Sequence, residues 1–86
     1  MMVEDWAVDA EQALIITLKK RDETEHLLEA GEVLDAATFV LIDMARGVLG
    51  TLEAEHEIRL ARDRLVARGE IDASFEPARP WRLLRA

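Results

Sequence analysis

Residues 51–69 read TLEAEHEIRLARDRLVARG, and they form the best-defined helix that the sequence predicts. Thr51 can cap the first turn with its hydroxyl oxygen, and Gly69 can end the helix at a positive φ. Acids lie in the first turns and arginines in the later ones, which complements the helix dipole, and Glu55 and Arg59 are spaced for an ion pair. Apolar side chains recur on one side and form the predicted buried stripe: Ile58, Ala61 and Leu65.

One or two further helices are predicted nearer the N-terminus. The first begins at about Asp9, where apolar side chains start to recur at spacings of three and four residues. Asp22 and Glu25 have the spacing of a capping box, so the helix can bend or restart there, and Gly31 is a suitable C-cap. Residues 9–30 therefore form either one helix or two.

A strongly apolar helix is predicted from Asp35, its N-cap, towards Gly47. Ten of the fourteen residues 36–49 are apolar. A helix that is apolar nearly all round lies at the centre of a fold or in an interface, and 86 residues offer little material to surround it. We therefore expect a homodimer or a partner groove, with contact residues on this helix: Phe39, Val40, Ile42 and Met44.

The end of the chain predicts a short β-hairpin. Apolar and polar residues alternate through 71–75, a proline-containing turn occupies 76–80, and the alternation resumes at 81–83. The predicted fold class is mainly α, with three or four helices followed by a short C-terminal β-hairpin, in one domain covering residues 1–86. A domain of this size has room for a single core.

Composition narrows the class of protein. Half of the residues are apolar and about a third are charged, which is typical of a globular chain. The chain has no cysteine, so it has no disulfides or thiolate metal sites. Neither a signal peptide nor an apolar stretch of the roughly 20 residues needed to span a bilayer is present. We expect a soluble, cytoplasmic protein without membrane contacts.

The familiar catalytic motifs are missing from the sequence. It contains no glycine-rich phosphate loop, no ordered Ser, His and Asp triad and no cysteine nucleophile. We therefore expect a binding protein that is not an enzyme and needs no cofactor.

The last part of the chain resembles a known class of binding domain. Residues 58–71 read IRLARDRLVARGEI, and with the hairpin after them they resemble the recognition helix and wing of winged-helix DNA-binding domains, over residues 36–85 at most. The resemblance implies a helix in the major groove and a wing on the backbone or in the minor groove. It gives contact roles to five arginines: Arg59, Arg62, Arg64, Arg79 and Arg82. Alternatively, this helix and hairpin only close the core.

Charge is unevenly distributed along the chain. Residues 1–58 carry 14 acids and 4 bases, whereas residues 59–86 carry 4 acids and 7 bases. Such asymmetry suggests two kinds of contact surface. The leading hypothesis is a small dimeric winged-helix-like regulator that contacts duplex DNA through its basic C-terminal third.

A second hypothesis is an acidic phage-type inhibitor that docks on a nucleic-acid-handling enzyme, its carboxylates imitating phosphates. A continuous carboxylate face on the first and third helices would favour the inhibitor. Arginines converging on one exposed face would favour DNA contact.

A repeated Glu-x-x-His spacing supports a more remote alternative, a metal-binding helical bundle. Glu23 and His26 form one pair, and Glu53 and His56 form the other, each on one face of a helix. Di-iron carboxylate bundles use this spacing. A shared site requires the two histidines to lie within about 10 Å of each other. The competing interpretation is that both histidines are solvated or partly packed residues without a metal, because glutamate is abundant in this chain.

Trp81 also has two interpretations. Beside Arg79 and Arg82 it could stack on a base or bind a partner protein. Alternatively, it covers the edge of the core while its polar neighbours reach water.

Overall fold

The computed structural model describes residues 6–24, 30–73 and 81–84 of the chain. These residues form three helices that each contact the other two: α1 (Ala7–Thr24), α2 (Ala30–Met44) and α3 (Thr51–Ala67). Within the described ranges, no helix combines the length and the apolarity needed to cross a bilayer.

A two-stranded antiparallel hairpin follows α3. Its strands are β1 (Ile71–Asp72) and β2 (Arg82–Leu83), with Ile71 opposite Leu83. β1 packs against α3 and β2 against α1, so the hairpin closes one part of the bundle. The predicted fold class, a mainly helical chain ending in a β-hairpin, is confirmed.

One hydrophobic core holds these elements together. The largest fully buried side chains come from all three helices and from β1: Leu14, Leu18, Val33, Leu41, Ile58, Leu65 and Ile71. Each such burial contributes about 1.5 to 3 kcal/mol relative to an exposed side chain. The stripe predicted for α3 is confirmed, because Ile58, Ala61 and Leu65 are all fully buried.

Two buried threonines satisfy their hydroxyl groups within their own helices. Thr17 donates to the carbonyl of Ala13 at 2.8 Å, and Thr38 donates to that of Leu34 at 2.7 Å. Such bonds to the preceding turn allow a hydroxyl to enter the core without an unsatisfied donor.

Two predicted helix boundaries are wrong. α1 continues through Asp22 to Thr24 without a break, and α2 starts at Ala30. Gly31 therefore lies in the first turn of α2 and is not a C-cap, and Asp35 is an exposed residue within that helix and not its N-cap. The physical reason is packing: Val33 and Leu34 are buried, and tertiary burial of an apolar face outweighs the local preference of Asp35 for a cap.

The turn between α2 and α3 requires unusual backbone conformations. Arg46 and Gly47 have φ values of 53° and 80°, in the left-handed region. Gly50 is the N-cap of α3, so the prediction of Thr51 as the cap is wrong; Thr51 is the first helical residue. The Glu53 carboxylate performs the capping function, since it accepts the Gly50 N–H at 3.3 Å.

The end of α3 agrees with the sequence. Gly69 has a φ of 73°, as the predicted helix end requires. Its N–H donates to the carbonyl of Val66, and the N–H of Arg68 donates to that of Arg64. These bonds satisfy carbonyl groups of the last turn.

Candidate binding surfaces

Arg62 is buried and engaged within the chain, and its predicted contact with phosphate stays a prediction. The residue is only 8% exposed, and its guanidinium carbon lies 5.6 Å from the centre of the buried Trp81 ring. Its Nε and Nη2 donate to Oδ1 of Asp63 at 3.2 and 3.0 Å. Arg62 thus acts as a packing residue, because its side chain covers the indole and gains a cation–π contact.

The surroundings of Trp81 agree with its role at the edge of the core. Its ring is buried, and its backbone carbonyl accepts a hydrogen bond from the buried guanidinium of Arg21. Arg21 is in α1, so this bond ties the start of β2 to the first helix. The structure thus favours the covering role of Trp81 over base stacking.

Arg64 and Arg68 are held by a carboxylate on α1. Arg64 Nε donates to Oε2 of Glu11 at 2.8 Å and its Nη2 donates to the carbonyl of Ala7 at 3.2 Å. Arg68 donates to the other oxygen of Glu11, and its Nε donates to Glu70 at 2.6 Å. We call these four side chains the Glu11 clamp: Glu11, Arg64, Arg68 and Glu70.

The contacts of the Glu11 clamp shift the pKa values of Glu11 and Arg68. The hydrogen bond from Arg68 is the largest influence on Glu11, and with the bond from Arg64 it lowers the Glu11 pKa below the ordinary 4.5, although partial burial opposes the shift. Hydrogen bonds to Glu11 and then to Glu70 raise the pKa of Arg68. Both shifts favour the charged forms of Glu11 and Arg68, and their ion pair joins α1 to the end of α3.

The remaining predicted DNA contacts are two exposed arginines and one that lies outside the described residues. Arg59 is exposed and bonded to Glu55 at 3.1 Å, which confirms the predicted ion pair along the helix. Arg82 is exposed on β2, and Arg79 lies outside the described residues. The described arginines of α3 do not converge on one basic face of the helix.

The outer side of α3 instead exposes apolar side chains. Leu52 is 81% exposed, and Leu60 and Val66 are exposed on the same side of the helix, within about 120° of one another at 100° per residue. We call these three residues the α3 face. His56 and Asp63 are exposed among them.

The outer side of α1 carries a row of residues four apart. We call it the α1 row, and all of its members are exposed: Val8, Gln12, Ile16 and Lys20. The neighbouring Lys19 is exposed as well. Because lysines and apolar side chains lie here, the described parts of α1 and α3 do not form the continuous carboxylate face that phosphate mimicry requires.

The outer side of α2 carries a similar row, which we call the α2 row: Asp35, Phe39 and Asp43. All three residues are exposed, Phe39 to 70%. Of the four predicted dimer contacts, Phe39 is thus the exposed one. The other three are half-buried and pack against the core of the same chain: Val40, Ile42 and Met44.

The predicted metal ligands are only partly described. Glu23 and His56 are exposed, and the Glu53 carboxylate is engaged as a helix cap. His26 lies outside the described residues, so its approach to His56 stays a prediction. Within 6–24, 30–73 and 81–84, no group of three or more His, Asp or Glu side chains is placed to hold a metal ion.

Sequence analysis did not identify Glu11 as a structural residue. Its partners in the clamp are 53 and 57 residues away, and helical periodicity relates only near neighbours.

Comparison with known proteins adds no relatives, since the chain matches no protein-family model, no curated protein and no solved structure.

Proposed function

We propose that this chain is a non-catalytic binding domain that docks on a protein through the α3 face. The observation that carries the proposal is the exposure of three apolar side chains on one side of a helix whose arginines are largely engaged within the chain: Leu52, Leu60 and Val66. Scattered exposed apolar residues need no explanation, but a group on one helix face is typical of a contact site.

The charges around the α3 face support a protein partner. Arg59 is bonded to Glu55, and Asp63 is bonded to Arg62, so nearby charges are balanced within the helix. A non-obligate protein–protein interface taken as a whole is only about as apolar as the rest of a protein surface, so polar side chains among the three apolar ones are compatible with docking. Docking there would bury Leu52 without leaving an isolated charge in a dry contact.

A nucleic-acid-associated regulator is the second candidate. The order of three helices followed by a hairpin supports it, as do the exposed Arg59 and Arg82. Against it, phosphate would have to compete with Glu11 for two arginines, and the exposed Glu53 and Asp63 would repel phosphate. We therefore put the protein partner first.

The inhibitor hypothesis needs a different mode of recognition, one that does not imitate phosphates. A protein that imitates nucleic acid needs carboxylates in a row, whereas the α3 face is apolar and the α1 row ends at a lysine. A nucleic-acid-handling enzyme stays among the possible partners. We propose that recognition would rest on apolar contact and not on phosphate mimicry.

A matched pair of substitutions tests the proposal. Leu52→Asp places a charge in the α3 face, and Leu84→Asp makes the same change at another exposed leucine. Wild type and both variants would be used separately to capture proteins from native host cells. A partner captured by wild type would then be purified, and its affinity for each of the three proteins would be measured. We expect Leu52→Asp to weaken binding at least about tenfold and Leu84→Asp to leave it unchanged.

Folding and DNA binding are checked in the same experiment. Leu52 is exposed in the first turn of α3, where an added acid suits the helix dipole, so Leu52→Asp should retain the wild-type melting temperature. Equal capture by all three proteins would contradict the proposal. Salt-dependent binding to duplex DNA at about 50 mM salt, lost in Arg59→Ala with Arg82→Ala, would favour the second candidate.

A further inference from the structure

We propose that two copies of this chain associate with α1 of each copy lying antiparallel against α2 of the other. The α1 row and the α2 row both have a spacing of four residues, and each holds exposed apolar and polar side chains in turn. Neither row includes a residue of the α3 face. The association is therefore separate from the proposed docking of a partner protein.

One register matches the two rows along their length. In an antiparallel pair, placing Ile16 opposite Phe39 of the second copy also places Lys20 opposite Asp35, because both rows advance by four residues. Ile16 is 49% exposed and Phe39 70% exposed, so the two apolar side chains have surface to bury on each other. Helix ridges formed by residues four apart commonly interdigitate in this way.

The outer ends of the same register are also compatible. Gln12 would face Asp43, to which its amide can donate a hydrogen bond. The two-fold symmetry of a dimer repeats every contact, so the interface would hold two attractive charge pairs, each of Lys20 with Asp35.

A like-charge contact forms at one end of the register. Glu23 would face Glu32 of the second copy, beyond the Lys20 and Asp35 pair, and this contact also occurs twice. Both glutamates are exposed. At a solvated margin such repulsion is weaker than an attraction nearer the centre of a contact. The two attractive pairs lie nearer the centre of the contact than the two repulsive ones, so the register remains favourable.

The alternative in which α2 pairs with α2 of the second copy is less favourable. If Phe39 contacts its own equivalent in an antiparallel pair, Asp35 faces Asp43 twice near the centre, and α2 holds no lysine or arginine that could offset this repulsion. In a parallel pair, each aspartate faces its own equivalent. Charge complementarity therefore selects α1 as the helix that covers Phe39.

The available area suits a weak dimer. Helices of 18 and 15 residues are about 27 and 22 Å long at 1.5 Å per residue. With a face about 10 Å wide on each, one copy contributes on the order of 500 Å² of projected surface. Stable interfaces bury about 800 Å² of accessible surface per partner, so we expect association at micromolar concentrations.

Charge reversal tests the register. Sedimentation equilibrium would be measured over a range from about 1 to 500 µM protein, spanning the Kd range of a weak contact. We expect Lys20→Glu and Asp35→Lys each to raise the dimer Kd about tenfold, since each removes two symmetry-related ion pairs. The double variant, which exchanges the two charges, should restore the wild-type Kd to within about threefold.

The sign of the Asp35→Lys effect is diagnostic. This change brings the net charge of −7 closer to zero, so general repulsion between copies would predict tighter association, whereas loss of a specific pair predicts weaker association. Arg82→Glu makes the same charge change as Lys20→Glu at a position outside both rows, and we expect it to retain the dimer.

Phe39→Ser should abolish the dimer while leaving the melting temperature unchanged at low protein concentration, because the ring is exposed. Three results would overturn the proposal: a 9.7 kDa monomer throughout the concentration range, a dimer that none of these variants affects, or a double variant no better than the single ones.

Discussion

Replacing Glu11 with glutamine should destabilise the fold in a way that depends on pH. The Glu11 side chain is 16% exposed and binds Arg64 of α3 and Arg68, the C-cap of that helix, whose side chains are 35% and 48% exposed. Ion pairs of this kind contribute about 0.2 to 1 kcal/mol each, and bonds to a charged, partly buried acceptor lie at the upper end. We expect Glu11→Gln to lower the free energy of unfolding at pH 7 by about 1 to 2 kcal/mol.

The pH dependence follows from the lowered pKa of Glu11. A carboxyl group whose folded pKa lies below its unfolded value stabilises the fold above the unfolded value, here 4.5, and loses that contribution as the pH falls through the folded pKa. The difference between wild type and Glu11→Gln should therefore be full at pH 7 and should shrink steadily below pH 4.5.

Urea unfolding at several pH values, followed by far-ultraviolet circular dichroism, measures this difference. Glu23→Gln is the matched control, because Glu23 is an exposed carboxylate of the same helix, and its replacement should change stability by less than about 0.5 kcal/mol. Equal stability of wild type and Glu11→Gln at pH 7 would refute the clamp. A difference in the free energy of unfolding that is as large at pH 3 as at pH 7 would also refute the clamp.

Two further substitutions test the packing. Arg62→Ala should destabilise the fold by about 1 to 2 kcal/mol in urea unfolding, because it uncovers the Trp81 ring and removes a cation–π contact; a shift in tryptophan fluorescence should accompany the loss, and unchanged stability would contradict the packing role. Leu41→Ala should cost about 2 to 5 kcal/mol, because the side chain is fully buried, whereas Phe39→Ala on the exposed side of the same helix should cost less than about 1 kcal/mol. Similar losses for the two α2 variants would mean that the buried side of α2 has been assigned wrongly.

Much of the fold follows from patterns that are local in the sequence. The stripe of α3, the end of that helix at Gly69 and the ion pair of Glu55 with Arg59 depend on residues within one or two turns of each other. The alternation after residue 70 likewise predicts the hairpin. Such features are determined by backbone geometry and side-chain spacing, which the sequence displays directly.

Helix starts were predicted less well, for a physical reason. Asp35 and Thr51 are both residues that favour caps, yet each lies inside a helix. The start of α2 is decided by the burial of Val33 against the other helices, and the start of α3 by the Glu53 carboxylate at Gly50. Capping preferences are worth about 1 kcal/mol and yield to packing of larger magnitude.

The arginines of the C-terminal third show why charge asymmetry alone does not identify a contact surface. A basic segment indicates phosphate contact only where its cations face solvent, and that depends on what the rest of the chain supplies. Here Glu11 of the first helix binds Arg64 and Arg68, while Arg62 covers an indole. Four of the five described arginines after residue 58 donate to a carboxylate of the same chain. The apolar side chains that α3 leaves exposed are therefore the stronger indication of a partner.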